Sequence, residues 1–154
     1  TDNWHLVKTE FYEQYEFSLL KAAIPAKLDG LTGRKMIAKI SKTFKSVFNT
    51  KELELVGVTA HKLIDNQTIG IHNDFIDGEE THRLVIHVHP IWTEENGGYF
   101  MMFNSSNPSD VAKIVEPLGN SATAFEISDR SHHAVSTIYN HERYSLIYTF
   151  KEIQ

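Results

Sequence analysis

The sequence predicts a mainly β barrel or jelly roll preceded by N-terminal helices. Two observations carry this reading. Residues 9–48 hold apolar stripes at helical spacing, and from about residue 52 the period drops to two, in short runs rich in Val, Ile, Phe and Tyr. Turn signals separate those runs at Asn96-Gly97-Gly98, Asn107-Pro108-Ser109 and Gly119-Asn120. Helices followed by many short strands suit a closed or sandwiched sheet with helices packed on one face. The 154 residues fit one domain, 1–154, with a helical part at about 9–48 and a β core at about 52–150. No repeat, low-complexity tract or linker divides it.

Taken in order, Tyr12, Tyr15, Leu19 and Ala23 form the first stripe and predict a helix over 9–24, with Pro25 as its stop signal. Ile37, Ile40, Phe44, Val47 and Phe48 predict a second helix over 33–48. Its other face carries Arg34, Lys35, Lys39, Lys42 and Lys45, read as a solvated face. The strand-like runs are Leu53–Thr59, Leu84–His89, Tyr99–Asn104, Ala122–Ile127, Ala134–Tyr139 and Tyr144–Phe150. In the last of these, Tyr144, Leu146, Tyr148 and Phe150 share an apolar face, suited to meeting the helices. Arg143, Ser145, Ile147 and Thr149 share the opposite face. If that face points into a barrel, the guanidinium needs a buried anion to compensate it.

Composition excludes several chemistries. The chain has no cysteine, so disulfide scaffolds, thiolate metal sites and cysteine nucleophiles are out. A net charge of -5 argues against nucleic acid as a partner. No apolar run approaches a membrane span, and Thr1-Asp2-Asn3-Trp4-His5 has no signal-peptide character, so a cytoplasmic protein is expected. Nine histidines is a high count for this length, and histidine is the commonest metal ligand.

His72-Asn73-Asp74 is the single His-x-Asp in the chain. Roughly 0.4 such triplets are expected by chance, so the triplet alone is weak. On an extended segment, however, residues i and i+2 project to one side and can grip one ion. Two histidines and a carboxylate on one octahedral face leave three open positions, the arrangement of non-haem iron oxygenases. The third ligand has to come from a strand returning beside the first, and His132 and His133 are both candidates. Ten residues beyond His133 stands Arg143, followed by Ser145. Arginine pairs carboxylates in a bidentate fork, which suits the far end of a dicarboxylate.

From Gly70 to Phe150 the sequence resembles the 2-oxoglutarate and iron(II)-dependent oxygenases, closest to the prolyl 4-hydroxylase-like branch. Ile69-Gly70-Ile71-His72-Asn73-Asp74 resembles the metal-binding strand, and Trp92 with Gly97-Gly98-Tyr99-Phe100 the Trp and Gly-Gly turn. Ile127 to Val135 resembles the segment of the distal histidine, where His133-Ala134-Val135 matches His-x-Val. Glu142-Arg143-Tyr144-Ser145-Leu146 resembles the co-substrate strand. The resemblance implies a double-stranded β-helix, Fe(II) held by His72, Asp74 and His133, and 2-oxoglutarate and O2 as co-substrates. Arg143 and Ser145 then hold the distal carboxylate of 2-oxoglutarate, which is oxidised to succinate and carbon dioxide as a substrate is hydroxylated. No acid–base catalyst beyond the metal ligands is implied. Where relatives have Tyr-Leu-Asn, this chain has His87-Val88-His89, and His87 is expected either to bond that carboxylate or to be a core histidine. The loop Phe75–Thr81 and the segment Thr81-His82-Arg83 are candidate substrate contacts.

The implied substrate is a peptide, protein or amino-acid-derived small molecule, as in prolyl hydroxylation or the tailoring of a peptide natural product. A second copy of the chain completing the pocket is also in view. Two other classes compete. A cupin-like barrel would use His87, His89 and Glu94, but Ala122 stands where its later histidine belongs. A non-enzymatic binding jelly roll would leave His72, Asp74 and His133 as incidental polar groups, which is costly if they are buried.

Overall fold

The computed structural model describes residues 3–153. Thr1, Asp2 and Gln154, the outer residues of the expected domain and part of the segment read for a leader, lie outside them. The elements run β1 (His5–Lys8), β2 (Glu13–Ser18), a short 3-10 turn over Ala26–Leu31, α1 (Arg34–Phe48), β3 (Glu52–Leu63), β4 (Ile69–His72), β5 (His82–His87), β6 (Phe100–Phe103), β7 (Val111–Val115), β8 (Ala122–Glu126), β9 (His133–Val135) and β10 (Arg143–Ile153). They form a six-stranded sheet, ordered β1-β2-β3-β10-β5-β8, and a four-stranded sheet, ordered β4-β9-β6-β7.

The helix expected over 9–24 is not formed. Residues 13–18 are β2 instead. Tyr12, Tyr15, Leu19 and Ala23 meet a helical spacing, but Tyr15 and Phe17 also alternate with Gln14 and Glu16. The open edge of β3 decides between the two periods: it pairs antiparallel with β2, Tyr15 opposite Lys62 and Ser18 opposite Thr59. Packing against neighbours outweighs a four-residue coincidence of spacing. One α-helix therefore stands among the described residues. The helix expected over 33–48 forms as α1, with Ile40 and Phe44 buried and its lysines exposed. Val47, expected on its apolar face, is 65% exposed. No helix among the described residues is long and apolar enough to cross a membrane.

Two apolar clusters lie on opposite faces of the larger sheet. On one, Leu146, Tyr148 and Phe150 of β10 pack with Val58 of β3 and Ile40 and Phe44 of α1. On the other, Ile147 of β10 joins Leu63, Val85 and Phe125 of its own sheet with Phe100 and Val135 of the smaller sheet. This is the jelly-roll core, and the alternation along β10 assigns its two faces as expected. Strand β7 has no counterpart among the strand-like runs of the sequence. It is a short edge strand, and its first four residues are exposed, so no burial pattern marks it in the sequence.

Candidate active site

The site is built where β4 meets β9. The two strands pair with His72 directly opposite His133, and the two rings lie 4.3 Å apart. Strand β4 ends at His72, and Asp74 is not on an extended segment: its φ is +59°, in the left-handed region. The i, i+2 argument for a shared strand face therefore does not apply to this residue. A tight turn folds the carboxylate back, and aspartate tolerates that conformation better than most residues. Asn73 ties the turn down. Its side chain accepts from the Phe75 N–H and donates to the Asp129 carbonyl, both at 3.1 Å.

Asp74 Oδ1 lies 3.4 Å from His72 Nε2, and Oδ2 lies 3.1 Å from His133 Nε2. The other nitrogen of each ring faces a backbone carbonyl: His72 Nδ1 is 2.9 Å from Gly70 O and His133 Nδ1 is 2.7 Å from Ser131 O. A carbonyl can only accept, so each Nδ1 donates its proton there and each Nε2 faces Asp74. Among the described residues this is the one group of three such side chains whose ligand atoms converge, all within 4.8 Å. Burial works against the charge on Asp74, but His133, His72 and Arg83 outweigh it and hold the carboxyl well below its usual range. Burial likewise opposes a charged His72, yet Asp74 and the Gly70 carbonyl raise it above its ordinary value. His132 is not in the cluster. It borders an outer groove with Phe11, Phe75, Ile76 and Glu79.

Inward from the cluster lies a cavity whose walls include Tyr12, Gln14, His61, Val85, Phe125 and Arg143. Arg143 is 4% exposed, and its Nε has no partner. Its one side-chain hydrogen bond among the described residues is from Nη2 to His87 Nδ1, at 3.4 Å. Burial lowers it to about 10, so it remains a cation at neutral pH. No carboxylate among the described residues pairs with it. Ser145 Oγ and His87 Nε2 are also buried without partners. These two are directly opposite each other on β10 and β5, and Ser145 is opposite His61 on β3. Burial, then the charge of Arg143 and His89, pushes His87 down to about 3, so it is a neutral imidazole with one N–H to give. A buried guanidinium with a hydroxyl and an imidazole beside it, all short of partners, fits an anion such as a carboxylate.

The expected residues thus gather at one place, His72, Asp74 and His133 at the mouth and Arg143 in the cavity wall, with Ser145 and His87 buried next to Arg143. The cupin set does not gather: Glu94 is exposed, and the ligand atoms of His87, His89 and Glu94 form no converging group among the described residues. Of Thr81-His82-Arg83, His82 belongs to the core against Phe44 and Phe48. Arg83 does reach the site and pairs with Asp74. Tyr12, Gln14 and His61 were missed. The first two lay in the supposed helix. His61 is signalled only by its register opposite Ser145, which a single sequence does not reveal.

A jelly roll with two histidines and one carboxylate at its mouth offers the donor set that non-haem iron oxygenases use. The family model described as the 2OG-Fe(II) oxygenase superfamily matches residues 58–151, and the chain belongs to that superfamily. It is accordingly a 2-oxoglutarate-dependent dioxygenase, with Fe(II) as cofactor and 2-oxoglutarate and O2 as co-substrates. The fold is similar to a Pseudomonas putida prolyl-4-hydroxylase, with TM-score 0.74 and 15% identity over 98% of this chain and 78% of that one. It is also similar to a Burkholderia pseudomallei oxidoreductase of the 2OG-Fe(II) oxygenase family, with TM-score 0.73 and 17% identity over 96% and 72%. A Trichoplax adhaerens prolyl hydroxylase in complex with a hypoxia inducible factor peptide fragment gives TM-score 0.73 and 12% identity over 97% and 71%. At such identities the likeness is one of fold. No curated protein matches the chain.

Proposed function

We propose that His72, Asp74 and His133 hold the iron, that Arg143 with Ser145 and His87 holds the distal carboxylate of 2-oxoglutarate, and that the enzyme hydroxylates a peptide or amino-acid-derived substrate in the outer groove. The observation that carries this reading is the buried Arg143, with no carboxylate partner among the described residues, in the cavity behind the His72, Asp74 and His133 cluster. The iron supplies activation of oxygen and Lewis acidity that no side chain offers. The chain's own residues do the rest. Arg143 presents a planar fork that fixes where the co-substrate's far end lies. His87, neutral, donates to the same anion. Val85, Phe100 and Phe125 keep water from the chamber.

Two observations support a peptide. The outer groove is open, and Phe11 and Phe75 on it are 50% and 44% exposed, apolar surface that an extended chain can cover. The Trichoplax relative holds a peptide fragment. The test is anaerobic titration of the Fe(II)-loaded protein with 2-oxoglutarate. A weak visible charge-transfer band is expected. Its absence, with iron bound and the protein folded, defeats the co-substrate assignment. Succinate release stimulated by proline-containing peptides supports the substrate class, and stimulation by free amino acids alone overturns the peptide reading.

A further inference from the structure

We infer that Arg83, steadied by Glu80, is a positioning residue that sets which oxygen of Asp74 is offered to the metal. The inference rests on the reading of Asp74 as an iron ligand.

Asp74 needs such a device. It lies two residues beyond the end of β4, has a left-handed backbone, and has no strand partner. The bonds of Asn73 hold the turn but touch neither carboxylate oxygen. Arg83 is placed quite differently. It is the second residue of β5, paired opposite Thr149 of β10 and Phe125 of β8, so its backbone is fixed inside the larger sheet. The guanidinium spans from this anchor to the turn. Nη1 donates to Asp74 Oδ2, and Nη2 donates to Glu80 Oε2. The side chain is 17% exposed and lines both the inner cavity and the outer groove.

Two consequences follow from this arrangement. The planar fork cannot rotate while both carboxylates hold it, so Asp74 is steered by geometry as well as by charge. Glu80 also neutralises Arg83, which reduces the repulsion a bare guanidinium would exert on a dication nearby. With Oδ2 engaged, Asp74 offers a single oxygen. Three protein ligands then leave three positions, the number that a chelating 2-oxoglutarate and oxygen together require. Glu80 belongs to the loop bordering the groove, so whatever fills the groove touches the support of a metal ligand.

Cobalt(II) titration of the metal-free full chain, read by its d–d absorption, tests this. Arg83→Gln should weaken cobalt binding about 10- to 100-fold, in line with other residues that orient metal ligands. It should also shift the d–d bands, because the carboxylate is freed. Glu80→Gln should act in the same direction but less, and should add nothing in the Arg83→Gln background. Arg83→Lys keeps the charge without the fork and should resemble Arg83→Gln. It also serves as the test if Arg83→Gln does not fold. Unchanged affinity and bands in the folded Arg83 variant overturn the inference. If wild-type protein binds no cobalt, or His72→Ala and His133→Ala bind it as well as wild type, the metal site itself is wrong and the inference falls with it. If those histidine variants lose cobalt and the Arg83 variant does not, the inference alone fails.

Discussion

His72 and His133 stand directly opposite each other on neighbouring antiparallel strands, with their Nδ1 protons committed to the carbonyls of Gly70 and Ser131. Each backbone carbonyl fixes its ring's rotation, so both Nε2 atoms are aimed at one point before any ion arrives. The cluster is preorganised by main-chain geometry rather than assembled by a ligand.

His133→Ala, His72→Ala and Asp74→Ala should each lose iron, whereas His132→Ala should retain it. Metal content of protein reconstituted under anaerobic conditions reads this directly. Asp74→Ala should also abolish turnover. A His132→Ala protein without iron, beside a His133→Ala protein with it, would exchange the two assignments.

Arg143→Ala should raise the dissociation constant for 2-oxoglutarate by two orders of magnitude or more, an estimate of about 3 kcal/mol for a lost charge-assisted pair. Iron content should be unaffected. Calorimetric titration of the iron-loaded, anaerobic protein separates the two effects. If iron is lost, or if 2-oxoglutarate binds as before, the role given to Arg143 is wrong.

Gly98→Ala should reproduce part of that phenotype by crowding the arginine stem. Gly98 has φ +73°, and a Cβ there would lie 3.0 Å from Arg143 Cδ and 2.8 Å from Ile138 Cδ1. The added methyl group pushes on the arginine stem as well as straining the backbone. Gly97→Ala meets the Thr137 carbonyl oxygen at 2.0 Å and should mainly destabilise the protein. The expected contrast is weaker 2-oxoglutarate binding in folded Gly98→Ala, against a lower melting temperature in Gly97→Ala.

Acid should destabilise the metal-free protein through His87. Its folded value is about 3, against an ordinary 6.5. Between these values the unfolded chain takes up a proton and the folded chain does not. Stability is therefore complete above pH 6.5 and falls as pH drops, by up to about 1.4 kcal/mol per unit from this group. His72 acts in the opposite sense, because its raised value favours the folded state below its ordinary titration. The difference between wild type and His87→Gln isolates the first effect. Urea midpoints at pH 7 and pH 5 should diverge less in the variant, and equal slopes would refute the assignment.

Much of the candidate site was legible because it rests on short-range signals. His-x-Asp, His-x-Val and Arg-x-Ser each lie within a few residues, and the faces of β10 follow from a period of two, which any strand obeys. The strand character of residues 13–18 was not legible. Their pattern satisfied two periods at once, and the deciding term was an edge of β3 far along the chain.

By itself, the sequence determined the residue types that can bind a metal and a carboxylate, the apolar face of α1, and the strand-rich body beyond residue 52. These depend on side-chain chemistry and local backbone geometry. Tertiary structure alone decided that Asp74 reaches the cluster from a left-handed turn, that Gln14 and His61 face the chamber, and that Arg83 grips Asp74 and Glu80. Each of these depends on how the sheets bring distant segments together, and for Gln14, His61 and Arg83 on strand register. A shift of one residue turns a side chain to the opposite face, and only the packed sheets select the register.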